Sequence, residues 1–218
     1  MNILVIAPHP DDEVLGCGGT IAKHTNNGDV VHLCIVTKGY YPDWSYEYLK
    51  NRPSEIEEST RILGIKKFHL LDFPTAKLDN IPQKDLNDSI SEVINKVKPA
   101  VVYIPHRGDI HQDHRIIFHS ALIAMRPNSK HYVKKILSYE TLSETEWGYP
   151  RNFQPTLYVD TSDTIDVKIE AMKAYASELK QYPHPRSIEI IEALAKKRGS
   201  EVGLKYAEAF EIIKEIIE

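Results

Sequence analysis

Four largely apolar runs, the first of them unbroken and each followed by a helical pattern, leave this chain few folds to choose from. Ile3 to Ala7 precedes a helical stretch over Glu13 to Asn27. The pairing recurs as Val30 to Val36 before Arg52 to Leu63, Phe68 to Leu71 before Ile81 to Val97, and Val101 to Ile104 before Arg115 to Met125. Apolar runs without alternation are the pattern of strands covered on both faces. Asn-Asn-Gly at 26–28, Gly64 and Pro99 supply the helix stops. Parallel neighbours need crossover helices, and those crossovers are right-handed. The order therefore predicts an α/β fold, a Rossmann-like, doubly wound, mostly parallel sheet with helices on both faces. Beyond Met125 the rhythm weakens: Lys135 to Tyr139 and Thr156 to Val159 read as strands, and everything from Ile165 onward as mainly helical. No linker, internal repeat or low-complexity tract divides the 218 residues. One domain over 1–218 is expected, with its Rossmann-like core over about 1–126 and a C-terminal strand-and-helix part over about 133–218.

Composition removes several function classes. With 42% hydrophobic residues and a formal charge of −4, the chain is too apolar and too nearly balanced for a disordered segment, and no stretch carries the basic excess of a nucleic-acid platform. No run approaches the ~20 apolar residues of a membrane span, and Met1-Asn2 leads straight into ILVIAP without a basic leader. A cytoplasmic protein is expected. Cys17 and Cys34, the only cysteines, sit in apolar company and read as reduced, buried thiols.

Chemistry-bearing residues gather in two loops. APHPDDE, Ala7 to Glu13, lies at the carboxyl end of the first strand, the edge where open α/β sheets bind ligands. Helix capping by an aspartate is the plain alternative there. Capping leaves unexplained His9, three positions ahead of Asp12 with Asp11 between them. An H-x-x-D pair is incomplete, because a catalytic zinc takes three protein ligands and keeps one position open. PHRGDIHQDHR, Pro105 to Arg115, follows the fourth strand and packs His111, Asp113 and His114 together. His9, Asp12 and His114 then make a two-histidine, one-carboxylate set of the hydrolytic zinc type, with the unligated Asp11 free to take a proton from water. Donor type alone also admits iron or manganese.

These residues carry a resemblance. HPDDE followed about a hundred residues later by DIHQDHR resembles the LmbE-like or PIG-L-type zinc de-N-acetylases, which hydrolyse the acetamide of N-acetylglucosamine conjugates. RPSEIEESTRILGI from Arg52, QPTLYVDTSDTIDVKIEAMKAYASE from Gln154 and RGSEVGLKYAEAF ending at Phe210 are similar to further stretches of that family. Pro8 departs from the Ala or Ser that many members have before the histidine. The resemblance implies His9, Asp12 and His114 as metal ligands, Asp11 as general base, His111 as an assisting acid and Arg52 as a substrate-gripping arginine. An amide carbonyl under attack becomes an oxyanion that needs a second donor besides the metal. A protonated His111 is expected to supply it, with Asp113 holding the ring and favouring its charged form. Either Asp11 or His111 protonates the leaving amine.

Other residues carry weaker signals. Arg52 is either a sugar contact or a solvated arginine at a helix start. Glu13 and His106 are expected to support the site rather than react, Asp109 to brace its loop, and His184, in a Pro-flanked segment, to fold over the site or stay on the surface. His24, His32, His69, His119 and His131 have no partner pattern. The Tyr40–Tyr48 loop is either a lid over a sugar ring or core filler. GCGGT, Gly16 to Thr20, fails as a dinucleotide loop because Ile21 stands where the last glycine belongs. Its small residues are expected to let the first helix pack closely.

The expected function is metal-dependent removal of an N-acetyl group from a small N-acetylglucosamine-type sugar derivative, with zinc as cofactor. The alternatives are an amidase acting on a larger sugar conjugate and a non-enzymatic, metal-containing sugar-binding module. An unligated base and acid beside the ligands weigh against the second. The apolar, Pro-rich late segment is compatible with self-association.

Overall fold

In the computed structural model, which describes residues 1–127 and 130–217, the chain forms one seven-stranded sheet between two layers of helices. The elements run β1 (Asn2–Ala7), α1 (Asp12–Asn26), β2 (Val30–Lys38), α2 (Tyr46–Ile62), β3 (Lys67–Pro74), α3 (Gln83–Val97), β4 (Val101–Pro105), α4 (Gln112–Ala124), β5 (Lys135–Tyr139), β6 (Leu157–Asp160), α5 (Ile165–Ala174), α6 (Ile188–Ser200) and β7 (Ala207–Glu215). The strand order is β3-β2-β1-β4-β5-β7-β6. β1 pairs in parallel with β2 and β4, β2 with β3, and β4 with β5, while β7 runs antiparallel to both β5 and β6. This is the doubly wound, mostly parallel sheet expected. The order reverses at β1 and β4, so the crevice beyond their carboxyl ends is the switch point where such sheets place ligands.

Side-chain alternation along β1 explains why the sheet is covered twice. Ile3, Val5 and Ala7 join the core with α1, α2, α5 and α6, whereas Leu4 and Ile6 join a second core with α3 and α4. Close packing of α1 rests on Gly16. A Cβ there would lie 2.2 Å from the Tyr139 ring, whose hydroxyl donates to the Ile6 carbonyl at 2.9 Å. The small residues of GCGGT thus bring α1 down onto the sheet, as expected.

Three local expectations need correction. α2 begins at Tyr46, not at Arg52, because Ser45 caps it by accepting the Tyr48 N–H at 3.2 Å. The tail is not all helical. Ala207–Glu215 is a strand inserted between β5 and β6, and its apolar residues are interrupted by Glu208 and Glu211, charged side chains that the fold buries. α4 starts at Gln112 rather than Arg115, so Asp113 and His114 lie in its first turn. Cys17 and Cys34 are buried and unpaired. Among the described residues no helix is long and apolar enough to cross a membrane.

Candidate metal centre and catalytic pocket

The two motif loops meet beyond the ends of β1 and β4. The Asp12 carboxylate lies at the meeting point: its Oδ2 accepts the His9 N–H at 2.8 Å, and stands 3.2 Å from His9 Nδ1 and 3.3 Å from His114 Nε2. Asp12 and His114 are fully buried. Asp12 Oδ1 and His114 Nε2 have no hydrogen-bond partner, and an orphaned carboxylate oxygen beside an orphaned imidazole nitrogen is what a cation site leaves behind. His9, Asp12 and His114 could therefore hold a metal ion, with all three donor atoms within 4.8 Å of one another. His9, His111 and Asp113 also cluster. There, however, Asp113 Oδ2 already accepts from the Ala76 N–H and His111 Nδ1 from the Asp113 N–H.

Electrostatics favour a cation at the first set. Burial opposes charge on His9, but the Asp113 and Asp12 carboxylates outweigh it and lift the ring to about 9. Burial likewise opposes charge on His114, and Asp12 and Asp109 overcome it. Asp12, despite its own burial, is held well below the usual carboxylate range by the two imidazoles. A bound metal replaces the ring protons, so carboxylates that hold protons on these rings hold a cation equally well. His114 Nδ1 is fixed by Asp109 Oδ2 at 2.8 Å, and Asp109 Oδ1 accepts the Thr145 hydroxyl at 2.6 Å. That carboxylate sets the tautomer of the histidine. The expected loop brace is thus a direct partner of a metal-site ring.

Asp11 occupies the N-cap position of α1 with φ +117° and makes no side-chain cap bond, which disposes of the capping alternative. Its carboxylate is buried and faces Arg186 at 3.3 Å. Burial pushes Asp11 well above the usual carboxylate range, with the Arg186 guanidinium pulling the other way. Glu13 accepts the Asp11 N–H at 3.2 Å and the Tyr175 hydroxyl at 2.6 Å, and burial raises it to about 7.

The expected pairing of Asp113 with His111 is not what the geometry has. The Asp113 carboxylate meets His9 Nε2 at 3.1 Å and stays 4.0 Å from His111. Only its backbone N–H reaches His111, whose Nδ1 accepts at 3.1 Å and so caps α4. Burial and the neighbouring His9 and His114 rings press His111 down to about 4. That downward pull and the engagement of Nδ1 by the Asp113 N–H favour an uncharged ring with its proton on Nε2 over the charged form expected from the sequence.

These groups open into a cavity of about 310 Å³ lined by His9, Asp11, Trp44, Tyr48, His111 and Arg186 among others. Arg52 lies in the second turn of α2, buried in the pocket wall. It bonds to Glu178 and to the Tyr48 hydroxyl and lies 3.4 Å from Glu55, so it is not a solvated helix-start residue. The Tyr40–Tyr48 loop forms one side of the mouth through Trp44 and Tyr48.

Sequence reasoning missed Arg186, Glu178 and Glu144. Arg186 bonds Glu178 at 2.8 Å and the Ser143 hydroxyl at 2.9 Å, and approaches Glu144 at 3.4 Å. The Pro-flanked segment does fold over the site, but by Arg186. His184 is exposed and accepts the Arg186 N–H at 3.0 Å. His106 braces its loop through Asn152 at 2.9 Å. Of the remaining histidines, His24 bonds Asp29 and Tyr103 and His131 reaches the Pro99 carbonyl, while His32 and His69 stack.

Comparison with known proteins agrees with the motifs. The PIG-L family, described as GlcNAc-PI de-N-acetylase, matches residues 4–125, more than half of the chain and both metal loops. The chain belongs to the PIG-L family. This PIG-L chain is 30% identical to the diacetylchitobiose deacetylase of Thermococcus kodakarensis, with 97% of the chain and 83% of that protein covered. The solved structure of the conserved protein TT1542 from Thermus thermophilus superposes with a TM-score of 0.82 at 27% identity, covering 99% and 96% of the two chains. That of the N,N'-diacetylchitobiose deacetylase from Pyrococcus horikoshii gives 0.77 at 27%, covering 97% and 83%.

Proposed function

We propose that this PIG-L protein is a zinc-dependent hydrolase that removes the N-acetyl group from an N-acetylglucosamine-type sugar conjugate, releasing acetate and a free amine. One observation carries the reading: a His9–Asp12–His114 donor set, in which Asp12 Oδ1 and His114 Nε2 lack hydrogen-bond partners, stands beside a buried carboxylate, Asp11, that is not among the ligands, and His9 and Asp11 line a pocket of about 310 Å³. A closed structural site has no use for such a base. Deacetylation is also what the names of the relatives state of those proteins.

Zinc held by His9, Asp12 and His114 would supply Lewis-acid charge to the amide carbonyl and to the attacking water. Asp11 takes the proton as the water oxygen bonds to the carbonyl carbon, and Arg186 keeps its carboxylate aimed into the pocket. His111, neutral with its proton on Nε2, donates a hydrogen bond to the developing oxyanion. Because His111 has no second proton to give, Asp11 returns its own to the nitrogen as the C–N bond breaks. Asp113 and Asp109 keep the His9 and His114 rings in place.

The test measures acetate and free amine from a panel of N-acetylated amino sugars, alongside metal content. Asp11→Asn is expected to keep its metal and lose ~10²–10⁴-fold in kcat, while His114→Ala loses the metal. Full activity in Asp11→Asn, or no acetate from any sugar, overturns the reading.

A further inference from the structure

The catalytic groups occupy only one end of their cavity. His9, Asp11 and His111 follow β1 and β4, and Asp11 is joined through Arg186 to Glu178 and Arg52. From there the cavity continues sideways across the sheet. Ile35 of β2 sits beside Ala7 of β1, and Leu70 of β3 beside Ile35; both line the cavity. With ~4.8 Å between neighbouring strands, Leu70 is ~10 Å from β1, on the side away from β4. α2 closes over this end. Leu49, Pro53 and Ile56 lie on one helical stripe at i, i+4 and i+7, and all three line the cavity. Trp44 completes the wall, against Gly39, where a Cβ would come 3.0 Å from the indole.

Leu70 shows what this end lacks. It lies on the edge strand and is 46% exposed, whereas Phe68, two residues earlier on the same face, packs against the core. The two threonine hydroxyls lining this end are already engaged: Thr37 donates to the Pro8 carbonyl at 2.8 Å and Thr75 to Thr37 Oγ1 at 2.9 Å. Lys38 and Asp72 face each other at 3.8 Å, and both are mostly in solvent. A sugar hydroxyl placed between Leu70 and α2 would lose its water without gaining a partner. An apolar group placed there covers the leucine and is stabilised by the same burial.

Resting on the deacetylase reading above, we propose that the β2–β3 end of the cavity is a hydrophobic subsite, so that the preferred substrate carries an aliphatic or aromatic substituent on its N-acylated amino sugar. The amide lies at the metal end, and the substituent lies between Leu70 and the Leu49–Pro53–Ile56 stripe. An acyl chain longer than acetyl and an apolar group on the anomeric oxygen present the same chemistry to that slot, and the experiment separates them.

The test measures kcat/KM on two series: glucosamine N-acylated with acetyl, butyryl or hexanoyl, and N-acetylglucosamine as its methyl or hexyl glycoside. In wild type at least one series is expected to rise by about tenfold from its shortest to its longest member, chiefly through KM. The series that rises identifies the source. Leu70→Asn, at a position already open to solvent, is expected to flatten it, alone or together with Leu49→Gln, whereas Leu70→Ile keeps it. A wild type indifferent to length in both series, or a length dependence that survives Leu70→Asn/Leu49→Gln, overturns the proposal. So does a lower molar mass of Leu70→Asn than of wild type by light scattering, because a second copy of the chain would then be what covers the leucine. Trp44 fluorescence in a Trp147→Phe background reads binding of the long and short members separately from turnover. Binding that tightens with length while no carboxylic acid is released upholds the subsite and sinks the hydrolase; acid released at one rate whatever the length does the reverse.

Discussion

Asp11 carries the largest backbone departure near the site, a non-glycine residue at φ +117°. Such a conformation stores ~1–3 kcal/mol and persists only where neighbours over-determine it. Here Glu13 accepts the Asp11 N–H, the Asp11 carbonyl accepts from Val14 and Leu15 at 3.0 and 2.9 Å, and Arg186 faces the carboxylate. Glycine would relieve the strain but would bring no base. Arg186→Gln is expected to leave metal content intact and lower kcat by about ten- to a hundredfold through a misaimed Asp11; a variant with unchanged kcat shows that Asp11 is held by α1 alone. The candidate metal-binding set was legible because short-range spacing places it: H-x-x-D on one turn, and His114 at the start of the helix that follows β4. Arg186 and Glu178 were not legible, since each acts more than a hundred residues from the motif it serves. The direction of Asp113 was misread for a related reason. Two residues of separation suggested His111, whereas the backbone of a helix first turn points the carboxylate across to His9.

Among the elements, β7 was the one the chain disguised. It binds α1 to α5 through a buried pair: Lys168 Nζ lies 2.6 Å from Glu208 Oε1 and donates to the Leu15 carbonyl at 2.9 Å, while Glu208 accepts the Gly19 and Thr20 N–H groups at 2.9 and 2.7 Å. Neither side chain reveals this role in a helical or alternating pattern, because each reads as an ordinary surface charge. Lys168→Met leaves Glu208 buried without its cation, held only by the Gly19 and Thr20 N–H groups, and is expected to lower unfolding free energy by ~3–5 kcal/mol in denaturant titration. Adding Glu208→Leu is expected to recover only part, since two α1 N–H groups then lose their acceptor. α6 has a pH-sensitive end. Burial would raise Glu201, but Lys197 and Arg198 hold it at about 2. A carboxyl lowered on folding stabilises above its unfolded value and loses that contribution as pH falls towards 2. The group is partly exposed, so screening limits the effect to about 1 kcal/mol. Glu201→Gln is expected to flatten the acid limb of the stability curve between about pH 4.5 and 2; an unchanged limb would refute the pairing.

At the scale of the molecule, the sheet's reversal between β1 and β4 is what turns two distant motifs into one centre, and this was the most legible level of all. Apolar runs and intervening helices specify such a topology without reference to any catalytic residue. With candidate donors from both halves of that crevice, an ion held by His9, Asp12 and His114 would also tie β1 to β4. Zinc at a thousand times its Kd would add ~4 kcal/mol, roughly 8–16 °C in Tm for a chain of this size. Chelation is expected to remove that increment reversibly in a thermal melt, and a melt insensitive to chelator would deny a tight metal site.

The position of β7 also bears on synthesis. β6 contacts the sheet only through β7, so a nascent chain can assemble β3-β2-β1-β4-β5 and the metal loops while β6 waits without a partner. Glu208, which receives the α1 N–H groups at Gly19 and Thr20, is also still to come. Those two α1 N–H groups therefore gain their carboxylate acceptor only with residues 207–215, and a chain without these residues exposes the β5 edge to any other strand it meets.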